Sequence, residues 1–214
     1  MLKVFAAVPV KELSSAKTRL SKLLSPDFKE VFVLAMLRDV LDALMSSSSL
    51  SEVMVISSDP EILEEASRRG AVGIDEGEPR GINEALRLAV DEALRRGAEA
   101  LLIVPCDVPL IKASDIEKLM SFLEPPPSMV ISPSKNREGT NALLLAPPNV
   151  IALRFGPQSF QNHLEEASLR GVNVKIYESS SLALDIDEEE DLKILKRMKG
   201  EGRVIALLES FGFR

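Results

Sequence analysis

The sequence predicts an α/β fold with a mostly parallel sheet and helices on both of its faces. Two observations predict it: short apolar runs alternate with helical patterns up to residue 123, and after Pro125 two further runs follow one another with no helix between them. The first pattern calls for parallel strands; the second adds a mixed or antiparallel edge.

Leu2 to Val10, rich in β-formers, reads as a buried strand, and the polar, basic stretch Lys11 to Lys22 follows as a loop. Asp27 to Met45 carries Val31, Leu34, Ala35, Leu37, Val40, Leu41 and Leu44 at helical spacing, with Pro26 and Asp27 marking the start. Val53 to Ile56 is a strand, Pro60 to Arg69 a helix stopped by Gly70, and Ala71 to Ile74 a short strand. Asn83 to Arg96 is a helix ended by Gly97, and Ala100 to Pro105 a strongly apolar strand running into Cys106 and Asp107. After the helix Ser114 to Leu123, Met129 to Ser132 and Asn141 to Ala146 are strands joined by a polar loop. Ser159 to Arg170 is a helix, Val174 to Tyr177 a strand and Glu188 to Met198 the last clear helix. With 214 residues, 45% of them hydrophobic, one domain over 1–214 is expected.

The net charge of −7 argues against a broad nucleic-acid surface, so any phosphate site has to be local. Aromatic residues, at 4%, are too few for base-stacking platforms. One cysteine and one histidine exclude a disulfide framework and a Cys- or His-rich metal cluster. No run approaches the ~20 apolar residues that span a bilayer, and the amino-terminal apolar stretch is too short for a secretory signal, so a cytoplasmic protein that engages no membrane is expected.

In an open parallel sheet, ligands sit beyond the carboxyl ends of the strands, which directs attention to the loops after Pro9, Ile74, Pro105 and Leu184. Lys11, Lys17 and Arg19 stand beside two serines and a threonine and form a candidate triphosphate cradle; the alternative is a solvated basic loop. Asp107 emerges from the most apolar strand, where a carboxylate can hold Mg²⁺ or simply turn the chain. Asp185 and Asp187 lie on one side of an extended segment with Ile186 facing the other way; they are half of a metal site or charge at a helix start. Ser159 can cap the next helix, whose positive end would also bind an anion.

The segments A-K-T-R-L ending at Leu20, R-G-I-N-E-A-L from Arg80, C-D-V-P from Cys106, G-T-N-A-L-L-L from Gly139, F-G-P-Q-S-F from Phe155 and L-D-I-D-E-E-E-D-L from Leu184 occur in order at compatible spacing. Together they resemble the 2-phospho-L-lactate guanylyltransferase family of coenzyme F-420 biosynthesis, over Leu2 to about Leu192. The resemblance implies a three-layer α/β/α sandwich of the nucleotide-diphospho-sugar transferase type. It also implies a reaction of GTP with 2-phospho-L-lactate, or with phosphoenolpyruvate in relatives, releasing pyrophosphate. The family's phosphoacid-binding positions fall on Thr140, Gly156 and Ser159, and its acidic metal ligands on Asp107, Asp185 and Asp187. The first loop departs from the broader superfamily in lacking glycine, and Asn136 stands where an Asp before the Arg is expected.

Gly81 and Asn83 follow the third strand, where the base would sit, the glycine allowing close approach and the amide offering donor and acceptor; a turn before a helix is the alternative. A phosphate oxygen is already anionic at neutral pH, so attack on the NTP α-phosphorus needs electrostatic help from Lys17, Arg19, Asp107 and Mg²⁺ rather than a general base. A different nucleotidyltransferase or a glycosyltransferase with the same nucleotide half-site, and a non-catalytic nucleotide-binding protein, are the alternatives. The apolar Leu143 to Leu153 region offers a homodimer contact.

Overall fold

The computed structural model describes residues 2–15, 17, 20, 23–198 and 202–210. Strands β1 (Val4–Pro9), β2 (Glu52–Ser57), β3 (Val72–Asp75), β4 (Ala100–Ile103), β5 (Ser128–Pro133), β6 (Thr140–Ala146) and β7 (Asn173–Ile176) form one sheet ordered 3-2-1-4-6-5-7. Helices α1 (Pro26–Met45), α2 (Pro60–Arg68), α3 (Ile82–Arg95), α4 (Ala113–Ser121), α5 (Ser159–Leu169), α6 (Glu189–Arg197) and α7 (Arg203–Ser210) pack around it.

Strands β1 and β4 are apolar at every position because both faces are covered. In β1, Val4, Ala6 and Val8 face a core shared with α1, α2, α4, α6 and α7, while Phe5 and Ala7 face a second core shared with α3 and α5. The result is a three-layer sandwich. Each large side chain fully buried there, such as Phe32, Leu37 or Leu86, contributes about 1.5–3 kcal/mol of transfer free energy. Helix α1 starts where the sequence suggests: Pro26 takes the first turn, and the Ser25 hydroxyl accepts the Phe28 N–H at 3.3 Å.

Strands β1 to β4 are mutually parallel, β6 runs antiparallel to both β4 and β5, and β7 is parallel to β5. The mixed part of the sheet is thus three strands wide, with its one reversed strand inside. Because β6 is reversed, its first residues, Thr140 and Asn141, arrive at the same rim as the carboxyl ends of β1 and β4.

The interior place of β6 removes the dimer contact expected from Leu143 to Leu153. Leu143, Leu144 and Leu145 are fully buried in the two cores and Ile151 is 4% exposed, so the stretch is apolar for packing within the chain. A helix beyond Met198 is also present: α7 packs Val204, Ile205 and Leu208 into the core beside α1. Its amino terminus is closed by a side chain from α1, Asp39, which accepts the N–H groups of Arg203 at 3.0 Å and Val204 at 2.9 Å. No helix among the described residues is long and apolar enough to cross a membrane.

Candidate active site

A cleft of about 660 Å³ opens at the rim where β1 and β4 end and β6 begins. Its walls include Lys11, Lys17, Asp107, Thr140, Gly156, Ser159, Asp185 and Asp187, drawn from five separate regions of the chain. Arg19 lies outside the described residues. Gly81 and Asn83 do not line the cleft, although Ile82 between them does.

The acidic side is built on β4 and on the extended segment before α6. Ile186 is fully buried and its N–H donates to the Asp107 carbonyl at 2.9 Å, which ties the two segments together and leaves Asp185 and Asp187 turned to the cleft. The Lys17 ammonium donates to Asp107 Oδ2 at 2.9 Å and to Asp187 Oδ1 at 2.6 Å, with its side chain 9% exposed. Burial alone would lower the Lys17 pKa, but Asp107 and then Asp187 raise it above the ordinary lysine value. Lys17, expected in a triphosphate cradle, lies directly between two of the acids: its nearly buried ammonium is compensated by two carboxylates that remain partly open to the cleft.

Asp185 takes a different partner. Asn141 donates to its Oδ1 at 3.3 Å and to the Leu182 carbonyl at 2.8 Å. Burial, followed by the nearby Asp107 carboxylate, raises the Asp185 pKa. The three acids therefore meet at one rim, yet no group of three or more His, Cys, Asp or Glu among the described residues is arranged to hold an ion together. The pair Asp107 and Asp187, already sharing one cation, matches an ion that takes one or two carboxylates and fills its shell with phosphate oxygens and water.

The opposite wall consists of the β5–β6 loop and the turn before α5. The Gly139 N–H donates to the Ser134 hydroxyl at 2.8 Å, and a Cβ at Gly139 would sit 3.0 Å from that oxygen, so a side chain there would press on the Ser134 side chain. Asn136 shapes the same loop, accepting from the Ser134 hydroxyl at 2.7 Å and from the Glu138 N–H at 3.1 Å. Gly156, with φ +126°, adopts a backbone conformation that side chains disfavour. Ser159 is not the helix cap: it is the first residue of α5, the cap position belongs to Gln158 (φ +58°), and the Ser159 N–H bonds to the Gly156 carbonyl at 3.1 Å. No side chain caps this helix end, while Ser159 itself is buried.

Gly81 caps α3 without a side-chain bond, and Asn83 is committed elsewhere. Its Nδ2 donates to the Phe155 carbonyl and its Oδ1 accepts the Phe155 N–H, both at 2.9 Å. The amide expected to read a base instead grips the loop that carries Gly156, and both of its ends are engaged with backbone. Sequence reasoning also passed over Asp115, which is 4% exposed and accepts from Tyr177, Ser179 and Ser181 at 3.0, 2.7 and 2.6 Å. That carboxylate anchors the segment that leads to Asp185.

A second opening of about 800 Å³ lies between α1, α7 and the turn before α4. Arg203 there is matched with Asp39 and Asp42, and Lys112 is the other cation that lines it. Burial pushes the Cys106 thiol up to about 12, which favours the protonated form over the thiolate.

This sheet, with its ligand cleft at the carboxyl rim, is the fold of the nucleotide-diphospho-sugar transferase type. It superimposes with a TM-score of 0.79 at 17% identity on a proposed nucleotide-diphospho-sugar transferase from Desulfovibrio desulfuricans, covering 98% of this chain and 95% of the other. Residues 4–213 match the family described as "Guanylyl transferase CofC like", and the chain belongs to that family of nucleotidyltransferases. It is 45% identical over 199 residues to phosphoenolpyruvate guanylyltransferase of Rubrobacter xylanophilus, covering 93% of this chain and 96% of the relative. It is 39% identical over 191 residues to 2-phospho-L-lactate guanylyltransferase of Methanothermobacter thermautotrophicus, covering 89% and 83%.

Proposed function

We propose that this guanylyltransferase joins GMP from GTP to a three-carbon phosphoacid, phosphoenolpyruvate or 2-phospho-L-lactate, releasing pyrophosphate in a cytoplasmic step of coenzyme F-420 biosynthesis. The observation that carries the reading is the division of one cleft. Lys11 and Lys17 line it with Asp107 and Asp187, while Thr140, Gly156 and Ser159 line it with a single acid from their wall, Glu138. The first set suits a triphosphate; the second suits a small anion held by hydroxyls and a helix start.

A phosphate oxygen of the acceptor attacks the α-phosphorus of GTP, a new P–O bond forms, the bond to the β-phosphate oxygen breaks, and pyrophosphate leaves. The nucleophile is already an anion, so no side chain has to remove a proton. The one histidine would take no part in proton removal: His163 is fully buried with both ring nitrogens engaged. What the chain contributes is charge and position. Lys17 and Lys11 offset the repulsion between two phosphate groups, and Thr140 and Ser159 orient the acceptor. Asp107 and Asp187, with Asp185 behind them, would hold Mg²⁺, which when bound supplies positive charge to the α-phosphate and the leaving group.

The test is to incubate the protein with each NTP, Mg²⁺ and a panel of phosphoenolpyruvate, 2-phospho-L-lactate and phosphoglycerate. Pyrophosphate and product mass are then measured. The reading requires a product of GMP plus phosphoacid mass; release of a nucleoside diphosphate would replace it with a glycosyltransferase reading.

A further inference from the structure

His163 is the one histidine of the chain and is fully buried on α5, edge-on to Phe155 with ring centroids 4.8 Å apart. Its Nε2 accepts the Arg154 backbone N–H at 3.0 Å, and its Nδ1 lies 3.0 Å from Thr140 Oγ1. These two contacts settle the position of the ring proton. An amide N–H can only donate, so Nε2 carries a lone pair; a neutral imidazole then bears its hydrogen on Nδ1. Nδ1 therefore donates, and Thr140 Oγ1 accepts. The hydrogen of the Thr140 hydroxyl is left to point elsewhere, and among the described residues it has no other partner. Thr140 lines the cleft.

We infer that His163 is a positioning residue for the phosphoacid: its Nδ1–H turns the Thr140 hydroxyl into a donor aimed at the acceptor anion, while its Nε2 holds the backbone that leads into Phe155 and Gly156. A threonine hydroxyl free to rotate could present either a lone pair or a hydrogen to an anion, and only the hydrogen is attractive. Occupying the oxygen with a donor from behind selects the attractive orientation before the ligand arrives. The same ring fixes the two sides of the acceptor pocket to each other, since Thr140 begins β6 and Arg154 precedes the Gly156 turn. Protonation of the ring would aim Nε2–H at the Arg154 N–H. Burial accordingly lowers the His163 pKa to about 4, which keeps the neutral form at working pH. This inference rests on the assignment of Thr140 to the phosphoacid made above.

Two measurements test it separately from that assignment. The first is ¹⁵N NMR of the tag-free, uniformly labelled protein at neutral pH, where the single histidine gives one imidazole. Nδ1 is expected to be the protonated nitrogen and Nε2 the bare one; a proton on Nε2 overturns the inference. The second is kinetics of His163→Leu, His163→Asn, Thr140→Val and the double variant His163→Leu/Thr140→Val. His163→Leu should raise KM for phosphoenolpyruvate about tenfold or more, as loss of one charge-assisted hydrogen bond implies, with KM for GTP unchanged. His163→Asn, which keeps an N–H near the Nδ1 position, should recover part of that loss, and the double variant should be no worse than Thr140→Val alone. Equal rises in both KM values, or additive losses in the double variant, overturn the positioning role. If Thr140→Val leaves phosphoenolpyruvate KM untouched while the tautomer is as expected, the acceptor assignment fails and takes this inference with it. The opposite tautomer beside a clear Thr140→Val defect sinks the inference alone.

Discussion

Asn83 closes both hydrogen-bonding groups of the Phe155 backbone with its own amide, donating to the carbonyl and accepting from the N–H, each at 2.9 Å. The two residues are 72 positions apart, so α3 holds the loop that carries Phe155 and Gly156 in place, on the face of the sheet where both pack. Asn83→Asp removes the donor and sets two oxygens against each other. The expected result is a rise of about five- to hundredfold in phosphoacid KM, from a broken buried hydrogen bond of about 1–3 kcal/mol, with GTP binding preserved. Steady-state kinetics with each substrate varied in turn reads this; a selective loss of GTP affinity would return Asn83 to the base-binding subsite.

In the proposed reaction Asp107 and Lys17 act through charge, so their neutral variants should keep the fold and lose the chemistry. Asp107→Asn is expected to reduce magnesium-dependent pyrophosphate release by about 10²–10³ or more, the range typical of deleting one electrostatic contact to a transition state. Lys17→Met should lose a similar factor, and should also weaken triphosphate binding. Pyrophosphate assays beside far-ultraviolet circular dichroism separate catalysis from folding. Turnover like that of the unaltered protein in Asp107→Asn would remove this residue from the reacting centre.

Features set by local pattern were legible in the sequence, and features set by distant partners were not. Each strand up to Ile103 was marked by its apolar run, and Asp107 by its place beyond the end of β4, because those positions follow from topology alone; Asp185, expected beyond a strand ending at Leu184, lies instead on an extended segment outside the sheet, tied to Asp107 by the Ile186 N–H. Asn83 was misread for the opposite reason: an amide in a loop before a helix says nothing about a carbonyl 72 residues away. Helix α7 escaped notice because its amino terminus carries no local cap; Asp39 supplies it from 164 residues upstream. The place of Ser159 within α5, and not ahead of it, turned on Gln158 adopting φ +58°, a conformation no sequence pattern announces.

The lowered pKa of His163 makes a prediction about stability. The folded value is about 4 against an ordinary 6.5, so the unfolded chain binds the proton more readily. Stability from this group is complete above pH 6.5 and falls as pH drops from there toward 4. Between pH 7 and pH 5, before most carboxylates titrate, the loss should be about 2 kcal/mol. Urea unfolding at both pH values measures it, and His163→Asn should flatten the dependence. An equal slope in that variant would mean the loss arises elsewhere.

Asp115 receives two hydrogen bonds on each oxygen: Tyr177 and Ser179 on Oδ1, Ser181 and the Lys112 N–H on Oδ2. Three of the four donors belong to the segment that delivers Asp185 and Asp187, so this buried carboxylate fixes the acids without touching the cleft. Asp115→Asn keeps the shape but turns one oxygen into a donor that faces other donors. The expected cost is about 1–3 kcal/mol of stability, with amide hydrogen exchange accelerated mainly over residues 178–187. Tyr177→Phe, which deletes one donor and leaves the carboxylate with three, should cost only about 0.5–1.5 kcal/mol and leave exchange there nearly unchanged. Exchange in Asp115→Asn that rises uniformly across the sheet would show Asp115 to be part of the general core. A local rise, with kcat falling more than either KM, would show that the acids' precise placement, and not their presence alone, supports the reaction.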